Sequence, residues 1–241
     1  MHPDHRFGNA FLDNLPYSVR DSIESIASLI HLDLHDVLYE KGAKIELAYF
    51  PVTALIANVI TMGDGGSIEV RVVGREGMTG LPMLLTNSTS DGNYFAQLSG
   101  TAYSVPKGAL VEMMGASVEL PRLFALYAES IIGSLSQLVA CNRLHHIEAR
   151  FARLLIMAHD RVAGDTIDFT HEFLALMLGV QRPGVTYAAA RFRSAGLIAY
   201  SRGRIVVRNR PALEAAACEC YGVVEDRFEE LLGFSIRKKS A

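Results

Sequence analysis

Cysteine is scarce: three in 241 residues, too few for the disulfide framework of a secreted scaffold. No apolar run approaches the roughly 18 residues of a spanning helix, and the opening stretch MHPDHRFGNAFLDNLP has no apolar signal-peptide core. Histidine is absent between Asp36 and Leu144. That gap removes the cluster of His and carboxylates that a metal-dependent barrel enzyme projects into its interior. No Gly-x-Ser-x-Gly elbow, P-loop or dinucleotide fingerprint occurs. From these absences we expect a cytoplasmic protein of a reducing compartment, with no membrane segment, no cofactor and no enzymatic activity. Half of the chain is hydrophobic and a fifth is charged, so one or two domains can bury a substantial core.

A further absence is local. Residues 181–210 contain seven Arg and no acidic residue. Around this block the charge is divided: residues 1–140 hold 8 Lys/Arg against 15 Asp/Glu, and 141–241 hold 15 against 11, giving −7 and +4. An acid-free Arg block is the footprint of a phosphate-contacting surface, with a merely solvated basic face as the alternative.

Residues 1–36 carry helical signals, with Asp21 as a candidate cap and Ile23, Ile26, Ala27 and Ile30 at 3–4 spacing. From 37 to 105 the texture changes to short β-rich runs: VLYEK at 37–41, IELAYF at 45–50, TALIANVI at 53–60, SIEVRVV at 67–73, YFAQL at 94–98 and TAYSV at 101–105. Gly-containing turns separate them, which argues a jelly roll. After Pro106 a short helix is expected over 107–115. A long one follows, from Val118 or Pro121 to 144. On it Phe124, Ala128, Ile131, Leu135, Leu138 and Asn142 recur at 4-3-4-3-4 spacing, a heptad seam suited to a second copy of the chain. A second apolar set, Leu123, Tyr127, Ile132 and Val139, is left to pack on the chain's own core.

The last hundred residues begin with a helix over 146–162. Thr170 then caps a short helix, 171–178, that stops at Gly179. Val180 and Gln181 form a turn, and Pro183 sits in the first turn of a second helix, 182–195, that ends at Gly196. LIAYSRGRIVVRN reads as a hairpin turning at Ser201-Arg202-Gly203-Arg204. Two short helices across a Gly-containing turn give the geometry that lays a helix in a major groove. Its polar edge offers Gln181, Arg182, Thr186, Tyr187, Arg191 and Arg193. The hairpin adds Arg202 and Arg204 as a wing for the DNA backbone.

The strands from LYEKGAKI to TAYSVP, the helix ending CNRLHHIEARFARLL, and the tail THEFLALMLGVQRPGVTYAAARFRSAGLI with SRGRIVV resemble the Crp/Fnr family of bacterial transcription regulators over nearly the whole chain. The resemblance implies an α+β protein. Its parts are a jelly-roll sensor domain of the cyclic-nucleotide-binding type at 1–117, a dimerisation helix at 118–144, a winged helix-turn-helix at 145–211 and a C-terminal helical extension at 212–241. It implies a homodimer acting on palindromic sites, with double-stranded DNA, a second copy and RNA polymerase as partners. Base reading would fall to Gln181, Arg182, Thr186 and Tyr187, and backbone contact to Thr170, Arg191, Arg202 and Arg204. Dimerisation would fall to Phe124, Ile131, Leu135, Leu138 and Asn142. Pro183 and Gly184 depart from the family's usual polar pair after the Arg. A signalling module that binds a small molecule or a partner protein through its β-roll, without DNA, is the alternative.

Family members that bind cyclic AMP pair an Arg with the cyclic phosphate after a Gly-Glu segment. Here Gly74-Arg75-Glu76-Gly77-Met78-Thr79-Gly80 occupies that neighbourhood, and no Lys or Arg lies between Gly77 and Asn93. Burying a phosphate without a cation is costly, so we expect no response to cyclic AMP. Any effector contact would fall to Arg71, Glu76 and Gly77. For metal we expect none. Cys218 and Cys220, two apart on an expected helix, would diverge, Cys141 lies in another element, and the adjacent His145 and His146 would also diverge.

Overall fold

The computed structural model describes residues 6–238. Contacts divide the described residues into two compact units: one takes in 6–60, 71–129 and 231–234, the other 61–70, 130–230 and 235–238.

The N-terminal half opens with α1 (Ala10–Asp13) and α2 (Tyr17–Ile26), followed by β1 (Ser28–Leu32), β2 (Val37–Tyr39), β3 (Leu47–Pro51), β4 (Leu55–Thr61) and β5 (Ser67–Val73). A short α3 (Leu81–Leu85) precedes β6 (Asn93–Leu98), β7 (Gly100–Pro106) and α4 (Lys107–Ala116). The strands form two sheets, ordered β1-β7-β3 and β2-β6-β4-β5, as a jelly roll requires. Each run expected as a strand contains one. The helical expectation for 1–36 holds only in part. Helix α2 ends at Ile26, Pro16 rather than Asp21 stands at its N-cap, and Ser28–Leu32 pairs antiparallel with β7. Ile30 fits a helical repeat on spacing alone; pairing with a distant strand decides otherwise.

Aromatic rings fill the first unit. Phe11 lies 5.0 Å from Tyr127 and 5.9 Å from Phe124, ring centre to ring centre, and stacks on Phe50. Phe124 and Tyr127 come from α5 (Glu119–Leu144). Phe124 is fully buried in this core, so it is not part of an outward seam as the heptad count had it. The exposed apolar stripe of α5 is instead Ile132, Leu135 and Val139, at 65%, 37% and 73% exposure. Ile131 and Leu138 are half-buried beside it. The two expected faces are therefore mixed: Leu135 points outward and Tyr127 inward as expected, while Phe124 is buried and Ile132 and Val139, expected inward, are exposed. Asn142 accepts a hydrogen bond from Arg150 Nη2 at 2.8 Å, an intrachain role in place of the expected polar seam residue. By length and composition alone α5 is apolar enough to cross a membrane, an 18-residue window of it reaching a mean hydropathy of 1.4, which revises the expectation that no such stretch exists.

In the second unit α6 (Ile147–Arg161) is followed by β8 (Thr166–Ile167), α7 (His171–Leu178), α8 (Arg182–Ser194), β9 (Ile198–Ser201), β10 (Arg204–Val207), α9 (Arg210–Ala216) and α10 (Cys220–Leu232). Strand β8 escaped the sequence reading; it joins the hairpin to make a sheet ordered β8-β10-β9. Leu174, Leu178 and Val185 are buried between the helices, and Phe151 meets Phe192 edge-on at 5.4 Å. A buried ion pair ties α6 to α9: Arg210 Nη2 lies 2.7 Å from Asp160, which also accepts from Tyr221 Oη at 2.8 Å. Cys218 lies in the connector between α9 and α10, not on a helix. The side chains of Cys218 and Cys220 therefore do not diverge as a helix would force, and both approach the last turn of α5.

Candidate nucleic-acid interface

Helix α7 starts as its sequence dictates. Thr170 Oγ1 accepts the Phe173 N–H at 3.1 Å, satisfying a donor that the helix leaves unpaired. Gly179 ends it at φ +60°, a left-handed turn that glycine adopts without strain. Two residues later α8 begins. Gln181 stands at its N-cap without a capping hydrogen bond, and Pro183 occupies the first turn.

Val185, Ala188, Ala189 and Phe192 form the buried side of α8. The opposite side exposes Gln181, Arg182, Thr186, Tyr187, Arg191 and Arg193, so all four residues expected to read bases share one solvent-facing edge. Thr186 is oriented from both sides. Its hydroxyl donates to Arg182 O at 3.1 Å and lies 3.0 Å from His171 Nδ1. One hydroxyl proton cannot serve both, so His171 Nδ1–H donates to Thr186. Burial, then the nearby Arg182 charge, lowers the His171 pKa, which favours that neutral form. The imidazole also stacks on Tyr200 at 4.3 Å and 11°. Sequence reasoning missed this support because the three residues lie on three elements.

Arg191 lies over the Tyr187 ring at 5.9 Å and pairs with Glu148 at 3.1 Å. At the wing, Arg204 pairs with Ser201 across a two-residue loop, Arg202-Gly203, whose φ values are +50° and +79°. Positive φ at both central residues is the type I′ geometry that matches strand twist. Arg202 adopts a conformation that L-residues rarely take, and its side chain is exposed. Arg204 pairs with Asp168 at 2.9 Å, both well exposed. Two of the expected backbone-contacting arginines are thus paired with carboxylates.

The expected effector residues Arg71, Glu76 and Gly77 lie in the first unit, around a side chain that the sequence reading had assigned only to packing. Tyr127 Oη accepts from Arg71 Nη2 at 2.5 Å and from Met78 N at 2.7 Å, and donates to Met78 O at 3.0 Å. A Cβ placed on Gly77 would meet that oxygen at 1.9 Å, so glycine is required for the tyrosine to approach. Glu76 is buried and accepts from Gly74 N at 3.1 Å. Arg71, half-buried, is thus engaged by a buried phenol.

Residues 149–216 match the Crp-like helix-turn-helix domain family. No curated protein sequence matches the chain significantly. Among solved structures, FixK2 from Bradyrhizobium japonicum has a TM-score of 0.70 at 16% identity, covering 80% of this chain and 98% of its own. A CRP-family transcriptional regulator from Thermus thermophilus scores 0.66 at 21% identity, covering 78% and 96%. CLP, the c-di-GMP-responsive global regulator of Xanthomonas campestris, scores 0.63 at 11% identity, covering 80% and 99%. Residues 149–216 thus form a Crp-like helix-turn-helix DNA-binding domain, and the chain as a whole has the fold of the Crp/Fnr transcription regulators.

Proposed function

We propose that this chain is a cytoplasmic, homodimeric transcription regulator that grips palindromic sites in double-stranded DNA and whose sensor domain does not respond to cyclic AMP. The observation that carries the reading is the solvent-facing edge of α8, which presents Arg182, Arg191 and Arg193 from a segment, 181–210, with no acidic residue of its own. Arg182 opens the helix where a guanidinium reaches O6 and N7 of one guanine. Gln181, Thr186 and Tyr187 contact neighbouring bases, and Thr170, Arg191, Arg202 and Arg204 hold phosphates. We assign residues 1–117 to sensing, 118–144 to dimerisation, 145–211 to DNA binding and 212–241 to a C-terminal extension, with RNA polymerase as the downstream partner.

The exposed stripe Ile132, Leu135 and Val139 is the dimerising face, since an apolar helix stripe left in water favours association with a like surface. Two recognition helices then meet half-sites about 34 Å apart. Arg71 held by Tyr127, with no other cation between Gly77 and Asn93, supports indifference to cyclic AMP. The test is a fluorescence titration of operator-length duplexes from a selection experiment, at several salt concentrations. Two chains per duplex, a steep salt dependence and a symmetric preferred sequence are expected. One chain per duplex, or affinity independent of sequence, would overturn the reading.

A further inference from the structure

The strongest unassigned feature is a cluster of sulfur and nitrogen donors at the end of α5. Cys141 lies in its last turn and His145 just beyond it, its N–H donating to Cys141 O at 3.1 Å, while Cys218 comes from the α9–α10 connector and Cys220 opens α10. The three Sγ atoms and one imidazole nitrogen all lie within 4.8 Å of one another, the only such group of three or more potential ligands among the described residues. Cys141 Sγ is 3.5 Å from Cys218 Sγ, and Cys220 Sγ is 3.4 Å from His145 Nδ1. A tetrahedral zinc with bonds of about 2.3 Å to sulfur and about 2.0 Å to nitrogen holds its sulfurs about 3.8 Å apart, and nitrogen about 3.5 Å from sulfur. These two contacts lie within a few tenths of an ångström of those values, and the other separations are at most 4.8 Å.

We propose that Cys141, His145, Cys218 and Cys220 form a closed, four-coordinate site for a thiophilic divalent cation, with zinc the expected occupant. The surroundings are those of a ligand set. With Nδ1 turned toward the sulfurs, His145 presents Nε2 to Glu219, 3.2 Å away. A ligating imidazole ordinarily donates its second N–H in this way, fixing tautomer and ring orientation. Gln137 Nε2 donates to Cys220 Sγ at 3.0 Å, a bond that suits a thiolate better than a thiol.

The three cysteines are buried, and burial pushes Cys141 up to about 12 and Cys218 in the same direction. Without a cation the Cys141 and Cys218 thiols therefore stay protonated; metal binding takes up thiolates and releases protons. Three thiolates, a neutral imidazole and a dication leave one net negative charge. Arg150 and Arg153, both buried, act electrostatically on the cluster, Arg153 favouring the Cys141 thiolate. With four protein ligands no coordination position remains for a substrate, so the site is structural: it clamps the end of α5 to the α9–α10 connector.

Elemental analysis of the full-length chain, purified anaerobically and dialysed against zinc, should give one zinc per chain. Cobalt(II) substituted for it should show the intense visible bands of tetrahedral coordination and a sulfur-to-cobalt charge-transfer band. Cys218→Ser and Cys220→Ser should lose the charge-transfer intensity stepwise, and Glu219→Gln should weaken zinc affinity by roughly 10-fold or more. If the cysteine variants fail to fold, the cobalt spectrum of the native chain decides alone. Less than a tenth of an equivalent of zinc, a cobalt spectrum of oxygen or nitrogen ligation only, or a Cys141–Cys218 disulfide in the anaerobic protein would each overturn the proposal. All of these readouts are taken without DNA, so they succeed or fail independently of the proposed function.

Discussion

Replacing Tyr127 by Phe isolates a single hydroxyl whose structural duty can be counted. The ring, its contact with Phe11 and its position 5.3 Å from the Arg71 guanidinium carbon are all retained. Lost are an acceptor for Arg71 and for the buried Met78 N–H, and a donor to Met78 O. The orphaned Met78 amide is the largest cost, about 1–3 kcal/mol for a buried unsatisfied donor. Arg71 is only half-buried and recovers water, and Met78 O keeps a long contact to Arg71 at 3.4 Å, so together they add about 1 kcal/mol. A total near 2–4 kcal/mol is expected, read as a lower urea midpoint with the slope unchanged. The Met78 amide should also exchange its hydrogen faster. A loss under about 0.5 kcal/mol, the scale of an ordinary surface substitution, with Met78 still protected, would refute the account of this side chain as the prop of the 74–80 turn.

Three further outcomes follow from the second unit and from α5. Asp160→Ala takes the nearest carboxylate from the buried Arg210, leaving Glu214 at 3.8 Å, and removes the acceptor of Tyr221; calorimetry should show a destabilisation of about 3–5 kcal/mol, and a loss below about 1 kcal/mol would contradict it. Arg202→Asn should stabilise the chain slightly, by up to about 1 kcal/mol, because Asn accepts the positive φ better. The same change should reduce the salt slope of DNA binding by about 0.9; an unchanged slope would remove Arg202 from the backbone contacts. Leu135→Glu with Val139→Glu should give monomers by light scattering and weaken operator binding, since two half-sites then bind independently; a persisting dimer would place the interface elsewhere.

The strands and the helix-turn-helix were legible because their signals are local: alternation bounded by glycines, Thr170 at a cap, Gly179 at a stop. What the sequence concealed depends on contacts between distant segments. Ser28–Leu32 looked helical because Ile30 continues a 3–4 spacing, and only its pairing with β7 makes it a strand. The two apolar sets of α5 are visible in the sequence, but each is split between core and solvent: Phe124 packs on Phe11 while Leu135 is exposed, and Tyr127 is buried while Ile132 and Val139 are not. Tyr127 read as packing, because nothing in its neighbours in sequence announces three hydrogen bonds to residues 71 and 78. The cysteines looked scattered for a similar reason. The spacings Cys141-x3-His145 and Cys218-x-Cys220 were signals, but Cys218 and Cys220 were judged on a helix that starts only at Cys220.

The most direct test of the central claim, that the exposed edge of α8 reads bases while the wing holds the backbone, is a binding-site selection run in parallel on the native chain, Arg182→Ala and Arg204→Ala. Arg182→Ala should relax the preference at one base in each half-site and cost about 1–3 kcal/mol at the best site. Arg204→Ala should weaken all sites about equally and leave the selected sequence intact, because phosphate contacts carry no direct base information. A sequence preference unchanged by Arg182→Ala but altered by Arg204→Ala would contradict the assignment of reader and clamp.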